Sequence, residues 1–343
     1  VTDIARSSFK QFASRAGQAT QAPLVSLGCV LADEPLPLVV SPRDDDVDLA
    51  GWASVHRDWV GERLVEHGGV LFRGFAIGGR AGFAVAVRSL TDEIAAYIDQ
   101  HTPREAVGEG LYTSTRYPAD QMIELHSEMS YSSSWPRAVW FYCQVPAVTG
   151  GETPIADNRR VYALLPRPLR ERFEELGVRY VRNFGQGVGL SWQQAFQTED
   201  RAQVERFCRT EGIEFEWKPG GGLRTARVGP AVVVHPQTGE RLWFNQAHAF
   251  HPSGLPAPVR EALARTLAER DYPSNASYGD GTPIADADLA EIRLTHARVA
   301  VTFPWRQHDV LMLDNMLICH GRRPFTGDRQ MFVAMAGRQQ ERS

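Results

Sequence analysis

The chain has 343 residues, 43% of them apolar and 23% charged, a globular composition that excludes a disordered or collagen-like polymer. Thirty-seven basic residues against 41 acidic ones leave a net charge of −4, with no electrostatic footprint for nucleic acid and no basic face for anionic lipid. No run approaches about 18 consecutive apolar residues, so no membrane span is expected; residues 1–20 lack an apolar stretch of the secretory kind, so the cytoplasm is the expected compartment.

In chain order, Asp48 to Glu66 reads as an amphipathic helix, with Trp52, Val55, Trp59, Leu64 and Val65 near helical spacing and Gly68-Gly69 ending it. Val70 to Phe75 then reads as a buried strand, and Gly82 to Tyr97 as a second helix. Residues 100–122 mix Gly, Pro, Thr and charge, as a long loop does. Ala138 to Val145 is a strong strand pattern, closed by Thr149-Gly150-Gly151. Helices are predicted at 159–176, 200–211, 257–270 and 286–296, and strands at 231–235, 241–246, 310–313 and 331–335. No repeat, linker or composition break divides the chain, so one domain over 1–343 is expected. Strands flank a helix-rich middle without regular β-α-β alternation or a Gly-rich phosphate loop. That pattern disfavours a doubly wound sheet and predicts a mainly β fold, an antiparallel barrel or jelly roll with helical insertions.

Cys29, Cys143, Cys208 and Cys319 are scattered, with no C-x-x-C pair, and read as reduced thiols. Ten histidines among 41 acidic residues give roughly one accidental H-x-D/E pair; the chain has two, His56-Arg-Asp58 and His126-Ser-Glu128. On a helix, residues i and i+2 point apart, whereas on a strand they share a face. His56 and Asp58 fall inside the first predicted helix and are assigned to a solvated surface. His126 and Glu128 fall at a strand rim, where both can converge on one metal.

His320 follows another apolar run and precedes Gly321 and Pro324, again at the edge of a strand. Two imidazoles and one carboxylate on a face leave adjacent positions open on an octahedral metal, the arrangement suited to non-haem Fe(II) oxygen chemistry. A structural zinc site would be closed by four ligands, and no thiolate pair is nearby in sequence. An α-keto acid co-substrate also needs a cation for its distal carboxylate, and arginine pairs with carboxylates bidentately. Arg329 opens the strand pattern Arg-Gln-Met-Phe-Val-Ala-Met, which puts Arg329, Met331 and Val333 on one face. Arg322, Arg323 and Arg338 compete for that role.

The segments His126-Ser-Glu-Met-Ser-Tyr131, Trp135-Pro136, Thr149-Gly-Gly-Glu-Thr-Pro-Ile-Ala-Asp157, Trp243-Phe-Asn-Gln246, Leu313-Asp-Asn-Met-Leu-Ile-Cys-His-Gly-Arg-Arg-Pro-Phe325 and Asp328-Arg-Gln330 occur together and in order. In this the chain resembles the taurine dioxygenase/TfdA family of Fe(II)- and 2-oxoglutarate-dependent oxygenases, over roughly residues 65 to 338. The likeness is strongest to the clavaminate-synthase-like and SyrP-type branch. The resemblance implies a double-stranded β-helix core of jelly-roll, cupin-like form. It implies iron ligation by His126, Glu128 and His320, with Arg329 and Thr153 on the C5 carboxylate of 2-oxoglutarate. Thr153 suits that role on its own chemistry, as a hydroxyl able to donate to the same anion; a turn threonine bonding its own backbone is the alternative. Trp243 and Asn245 share one strand face and are candidates, with Arg322, for the substrate pocket; a core Trp beside a turn-bonding Asn is the alternative.

The chain also departs from its relatives. The carboxylate ligand is Glu rather than the commoner Asp, as in members that oxidise amino acids. Some relatives carry a second Arg four residues after the co-substrate Arg, where this chain has Val333. The turn before the last ligand strand often carries Gly-Asp, and here it is His308-Asp309, with His308 read as structural. Halogenating relatives have a small residue where this chain has Glu128, so the carboxylate implies oxygenation.

The expected activity is hydroxylation of a C–H bond driven by dioxygen and 2-oxoglutarate. The expected substrate is an amino acid or amino-acid-derived intermediate of specialised metabolism, free or tethered to a carrier protein, beneath lids at 100–122 and 180–225. Desaturation, epoxidation or cyclisation by the same oxidant, and a non-oxidative metal-dependent hydrolase or isomerase on the same barrel, are the alternatives. A metal-free binding protein or a carrier-docking module would keep the fold without the chemistry.

Overall fold

A computed structural model describes residues 24–32, 34–94, 106–108, 110–113, 117–185 and 189–340. Its centre is an eight-stranded sheet in the order Val25–Leu31, Glu34–Pro42, Gly69–Phe72, Val310–Asp314, Ser134–Val145, Gln330–Gln340, Leu111–Thr113, Ala106–Gly108. Every pairing in it is antiparallel except that of Glu34–Pro42 with Gly69–Phe72. The central strands read as unbroken apolar runs because both of their faces are covered. In the strand Ser134–Val145, Trp140 and Tyr142 join an outer core with Trp52, Phe72 and Phe83, while Val139, Phe141 and Cys143 point the other way. The same alternation sends Val310 and Met312 outward and Leu311 and Leu313 inward.

The outer core is roofed by the helices Leu49–Val55, Arg57–His67 and Gly79–Leu90. The single helix predicted over 48–66 is two, because His56 leaves helical geometry and its ring packs 4.8 Å from that of Trp52. Gly68 ends the second with φ 75°, and a Cβ there would meet Ile318 Cδ1 at 2.6 Å, so the strand that follows enters close against the opposite wall. Residues 95–97 of the helix predicted over 82–97 lie outside the described residues. The helix predicted over 159–176 is interrupted at Leu165-Pro166, since the residue before proline is pushed out of helical geometry.

The inner face of the large sheet meets a three-stranded antiparallel sheet, Ile123–His126, Ile318–Arg322 and Ile155–Asp157. Leu71, Phe141, Leu311, Met331, Val333 and Met335 from the large sheet pack with Ile155, Ile318, Phe244 and Trp305 in the space between. A further core of Leu125, Cys319, Trp243, Phe173 and Tyr278 lies behind the small sheet, under the helix Asp286–Val299. The architecture is therefore mainly β with helical cover, as composition and pattern predict.

Two sequence expectations change here. Of residues 180–225, predicted as a lid, 186–188 lie outside the described residues and the rest belong to a folded module: Glu214–Trp217, Leu223–Gly229, Val178–Phe184 and Ser274–Tyr278 form a four-stranded antiparallel sheet. It has its own core of Phe184, Trp192, Phe196, Val204, Cys208 and Leu223. The Gly-rich composition that suggests a loop serves turns, with Gly185, Gly220 and Gly221 all at positive φ. Of the other predicted lid, residues 100–105, 109 and 114–116 lie outside the described residues, while 106–108 and 111–113 are edge strands of the large sheet. No helix among the described residues is long and apolar enough to cross a membrane.

Candidate active site

His126 is the last residue of its strand and His320 lies directly opposite it in the antiparallel ladder. Because side chains alternate across a strand, Leu125 and Cys319 face the rear core and the two imidazoles face the space between the sheets. Their ring centroids are 4.6 Å apart, and Phe141 of the large sheet stands 4.9 Å from the His320 ring.

Glu128 arrives differently from the strand-rim geometry its spacing suggests. It sits in the turn after the strand, and Met129 beyond it holds φ 58°, a left-handed conformation that a non-glycine residue adopts at a cost. Asn315 holds this turn. Its Oδ1 accepts from the Glu128 N–H at 2.7 Å, and its Nδ2 donates to the carbonyls of Glu128 and Pro136, each at 2.9 Å. Gln246 Nε2 donates to the Ser127 carbonyl at 2.7 Å, and Asn158 Nδ2 to Ser127 Oγ at 2.9 Å. The strained turn is thus pinned by three buried amides.

The outcome is that His126, Glu128 and His320 bring one ligand atom each within 4.8 Å of one another, the one such gathering of three or more His, Cys, Asp or Glu among the described residues. Glu128 and His320 are buried and His126 is half-buried. The residues suit an iron ion. His126 Nδ1 lies 2.7 Å from the Glu124 carbonyl, which places the ring proton on Nδ1 and turns the Nε2 lone pair to the site, as metal-ligating histidines do. His320 Nε2 and Glu128 Oε2 are 3.8 Å apart, too far for a hydrogen bond of their own. His56 and Asp58 gather no third ligand, and Asp58 is exposed, in keeping with a helix surface.

Next to the small sheet, the turn Thr149-Gly150-Gly151 sets a corner. Both glycines have positive φ, and Arg329 Nε donates to the Gly151 carbonyl at 3.0 Å. A Cβ on Gly151 would lie 3.0 Å from Arg329 Cδ, so the absence of a side chain lets the guanidinium stem lie against the turn. Burial pushes the Arg329 pKa down to about 10, and the charge of Arg322 adds to this against Cys143 and Glu152. A cation depressed in this way gains from an added anion. Thr153 on the same turn is buried, and its Oγ1 accepts the Trp305 indole N–H at 3.1 Å.

The competing arginines have other partners. Arg323 is exposed and Arg338 pairs with Glu211 at 3.2 Å. Arg322 donates to the carbonyls of Tyr117, Pro118 and Gln121 at 3.0, 2.6 and 3.0 Å. It clamps the loop that feeds the His126 strand. Trp243 and Asn245 also need correction. Trp243 packs in the rear core, 5.0 Å from Phe173, and Asn245 bonds the Ala231 carbonyl and the Ala247 N–H as a turn residue. The opposite face of that segment, Phe244 and Gln246, is the one turned to the site. Alternation is visible in sequence, but which face looks inward is not, and a slip of one residue exchanges them. His308 takes φ 69° and bonds Tyr142 on the outer face, away from the site.

Asn315, Gln246 and Trp305, which bond residues 127, 128 and 153, carry no local sequence signal for that role. Asn315, five positions before His320, is set apart only as a polar residue inside an apolar run.

Comparisons with known proteins bear on the family and the fold. The family described as taurine catabolism dioxygenase TauD, TfdA family matches residues 32–335. The dapdiamide synthesis protein DdaC of Enterobacter agglomerans is 40% identical over 297 residues, covering 87% of this chain and 90% of that one. A clavaminate synthase-like protein of Arabidopsis thaliana is 29% identical over 324 residues, covering 88% and 94%. Among solved structures, PvcB, described as an Fe, alpha-ketoglutarate dependent oxygenase from an isonitrile synthetic pathway, shares the fold with a TM-score of 0.51 at 16% identity, covering 93% of each chain. The chain belongs to the taurine catabolism dioxygenase TauD, TfdA family, and it is an oxygenase.

Proposed function

We propose that this oxygenase, which depends on Fe(II), 2-oxoglutarate and dioxygen, hydroxylates a C–H bond of an amino acid or an amino-acid-derived intermediate in specialised-metabolite biosynthesis. The observation that carries the reading is the convergence of His126, Glu128 and His320 beside a corner holding Arg329 and Thr153. The similarity to a dapdiamide synthesis protein supports the biosynthetic setting, and membership of a dioxygenase family sets the hydrolase alternative aside. We read the chain as one catalytic domain, its two facing sheets as the walls of a double-stranded β-helix, and its substrate as a small molecule, free or carrier-tethered.

His126, Glu128 and His320 would hold the iron, which when bound supplies activation of dioxygen at the expense of 2-oxoglutarate. The protein's own residues do the rest. Arg329 neutralises the distal carboxylate of the co-substrate in a site of low dielectric, where the pairing is strong. Thr153 donates a hydrogen bond to the same group. Phe141, Phe244, Trp135 and Met335 wall the space between the sheets with apolar surface and keep water from the reacting C–H bond. Glu128 fills the third ligand position with a carboxylate, which favours oxygen transfer over transfer of a halide.

The reading is tested by screening amino acids and aminoacyl carrier proteins against the iron-loaded enzyme for succinate release. A substrate is expected to trigger succinate in step with a product heavier by one oxygen atom. A product lighter by two hydrogens would replace hydroxylation by desaturation, and activity restored by zinc without succinate would overturn the oxygenase reading for this site. Arg329→Ala is expected to raise the KM for 2-oxoglutarate roughly ten- to a hundredfold, the value of a lost charge-assisted bond, while iron content stays near normal. Loss of iron in that variant would remove Arg329 from the co-substrate.

A further inference from the structure

A threonine hydroxyl offers one hydrogen and two acceptor lone pairs. In Thr153 one lone pair is taken by the Trp305 indole N–H at 3.1 Å, and both side chains are buried. Among the described residues no carbonyl or carboxylate accepts the Thr153 O–H in return. A buried donor left without an acceptor costs free energy, so its persistence marks a place where a ligand supplies the missing atom. Threonine is stiff about χ1, which fixes the position of Oγ1, and a hydroxyl accepting from Trp305 cannot point its own hydrogen back at that ring. Two residues earlier, Gly151 seats Arg329, so donor and cation border one corner.

We propose that Trp305 is a positioning residue for the co-substrate: its indole N–H fixes the Thr153 hydroxyl so that the O–H is presented to the distal carboxylate of 2-oxoglutarate. This rests on the reading of Thr153 as a co-substrate contact. Trp305 is placed to do this by the extended segment that precedes the strand Val310–Asp314, where it packs 5.7 Å from Phe303 in the inner core. A tryptophan serving the core alone would contribute area, and phenylalanine would replace most of it; the orienting bond needs the N–H.

The test is calorimetric titration of 2-oxoglutarate into Mn(II)-loaded protein, which reads binding without turnover, for the wild type, Trp305→Phe, Thr153→Val and the double variant. Thr153→Val is expected to weaken 2-oxoglutarate by about tenfold, the value of a hydrogen bond to a charged group. Trp305→Phe is expected to weaken it by about three- to tenfold, with Mn(II) affinity unchanged, and the double variant is expected to be no weaker than Thr153→Val alone. Thr153→Ser, which keeps the hydroxyl but frees χ1, is expected to fall between wild type and Thr153→Val. Losses that multiply in the double variant would show that Trp305 acts through packing and overturn the proposal. A normal Trp305→Phe beside a weakened Thr153→Val would do the same while leaving the Thr153 contact standing. If Thr153→Val binds 2-oxoglutarate normally, the co-substrate reading of Thr153 fails, and the role of Trp305 fails with it.

Discussion

Glu128→Ala is expected to abolish substrate-coupled succinate formation and to strip the protein of iron, with metal affinity falling by about a hundredfold or more. Hydrogen-bond partners of metal ligands are each worth roughly 10- to 100-fold in metal affinity, and a ligand is worth at least as much as its partner. The fold survives the change, because Asn315 bonds the backbone N–H and C=O of residue 128 and not its side chain. Glu128→Asp keeps the charge but withdraws it by one methylene from a pinned backbone, so its iron affinity falls between the two. Iron analysis and a succinate assay on the three proteins check this. Undiminished iron and succinate in Glu128→Ala would take Glu128 out of the ligand set.

Asn315→Ala is the second large effect, although Asn315 touches no ligand atom of the triad. It is fully buried, and its removal leaves the Glu128 N–H and two carbonyls without their partner. Each unsatisfied buried group costs about 1–3 kcal/mol, so a loss of about 3 kcal/mol or more in unfolding free energy is expected. Metal affinity falls as well, by roughly tenfold or more, because the turn with Met129 at φ 58° is no longer held. Asn315→Asp preserves shape and the acceptor for the Glu128 N–H but sets a carboxylate oxygen against two carbonyls, so it does not rescue. Denaturant unfolding of the metal-free protein and an iron titration separate the two losses. An Asn315→Ala protein that is less stable yet binds iron normally would show that Gln246 and Asn158 suffice to hold the turn.

The candidate metal ligands were legible because His126 and His320 stand on strand patterns and Glu128 lies two residues beyond one, although Glu128 reaches the cluster from a turn and not from the strand face its spacing suggests. The inward placement of Met331 and Val333 was legible for the same reason, period-two alternation. The four-stranded module was not: the strands Leu223–Gly229 and Val178–Phe184 carry Arg182, Asn183, Thr225 and Arg227, all buried, so their apolar pattern is broken. Polar side chains that are buried look like loop residues until the elements that cover them are known.

The sequence by itself determined the chemistry available to this protein: two imidazoles, a carboxylate, an arginine and a Gly-Gly turn, in an order that few folds would produce by chance. Tertiary structure alone decided which face of residues 243–246 looks inward, which of four arginines reaches the Gly151 turn, and that Asn315 bonds the Glu128 backbone while Trp305 bonds the Thr153 hydroxyl. The physical reason is that alternation and residue type are local properties of the chain. A hydrogen bond between residues 128 and 315, or 153 and 305, exists only once the sheets have closed on each other, and nothing in either residue's neighbours records its distant partner.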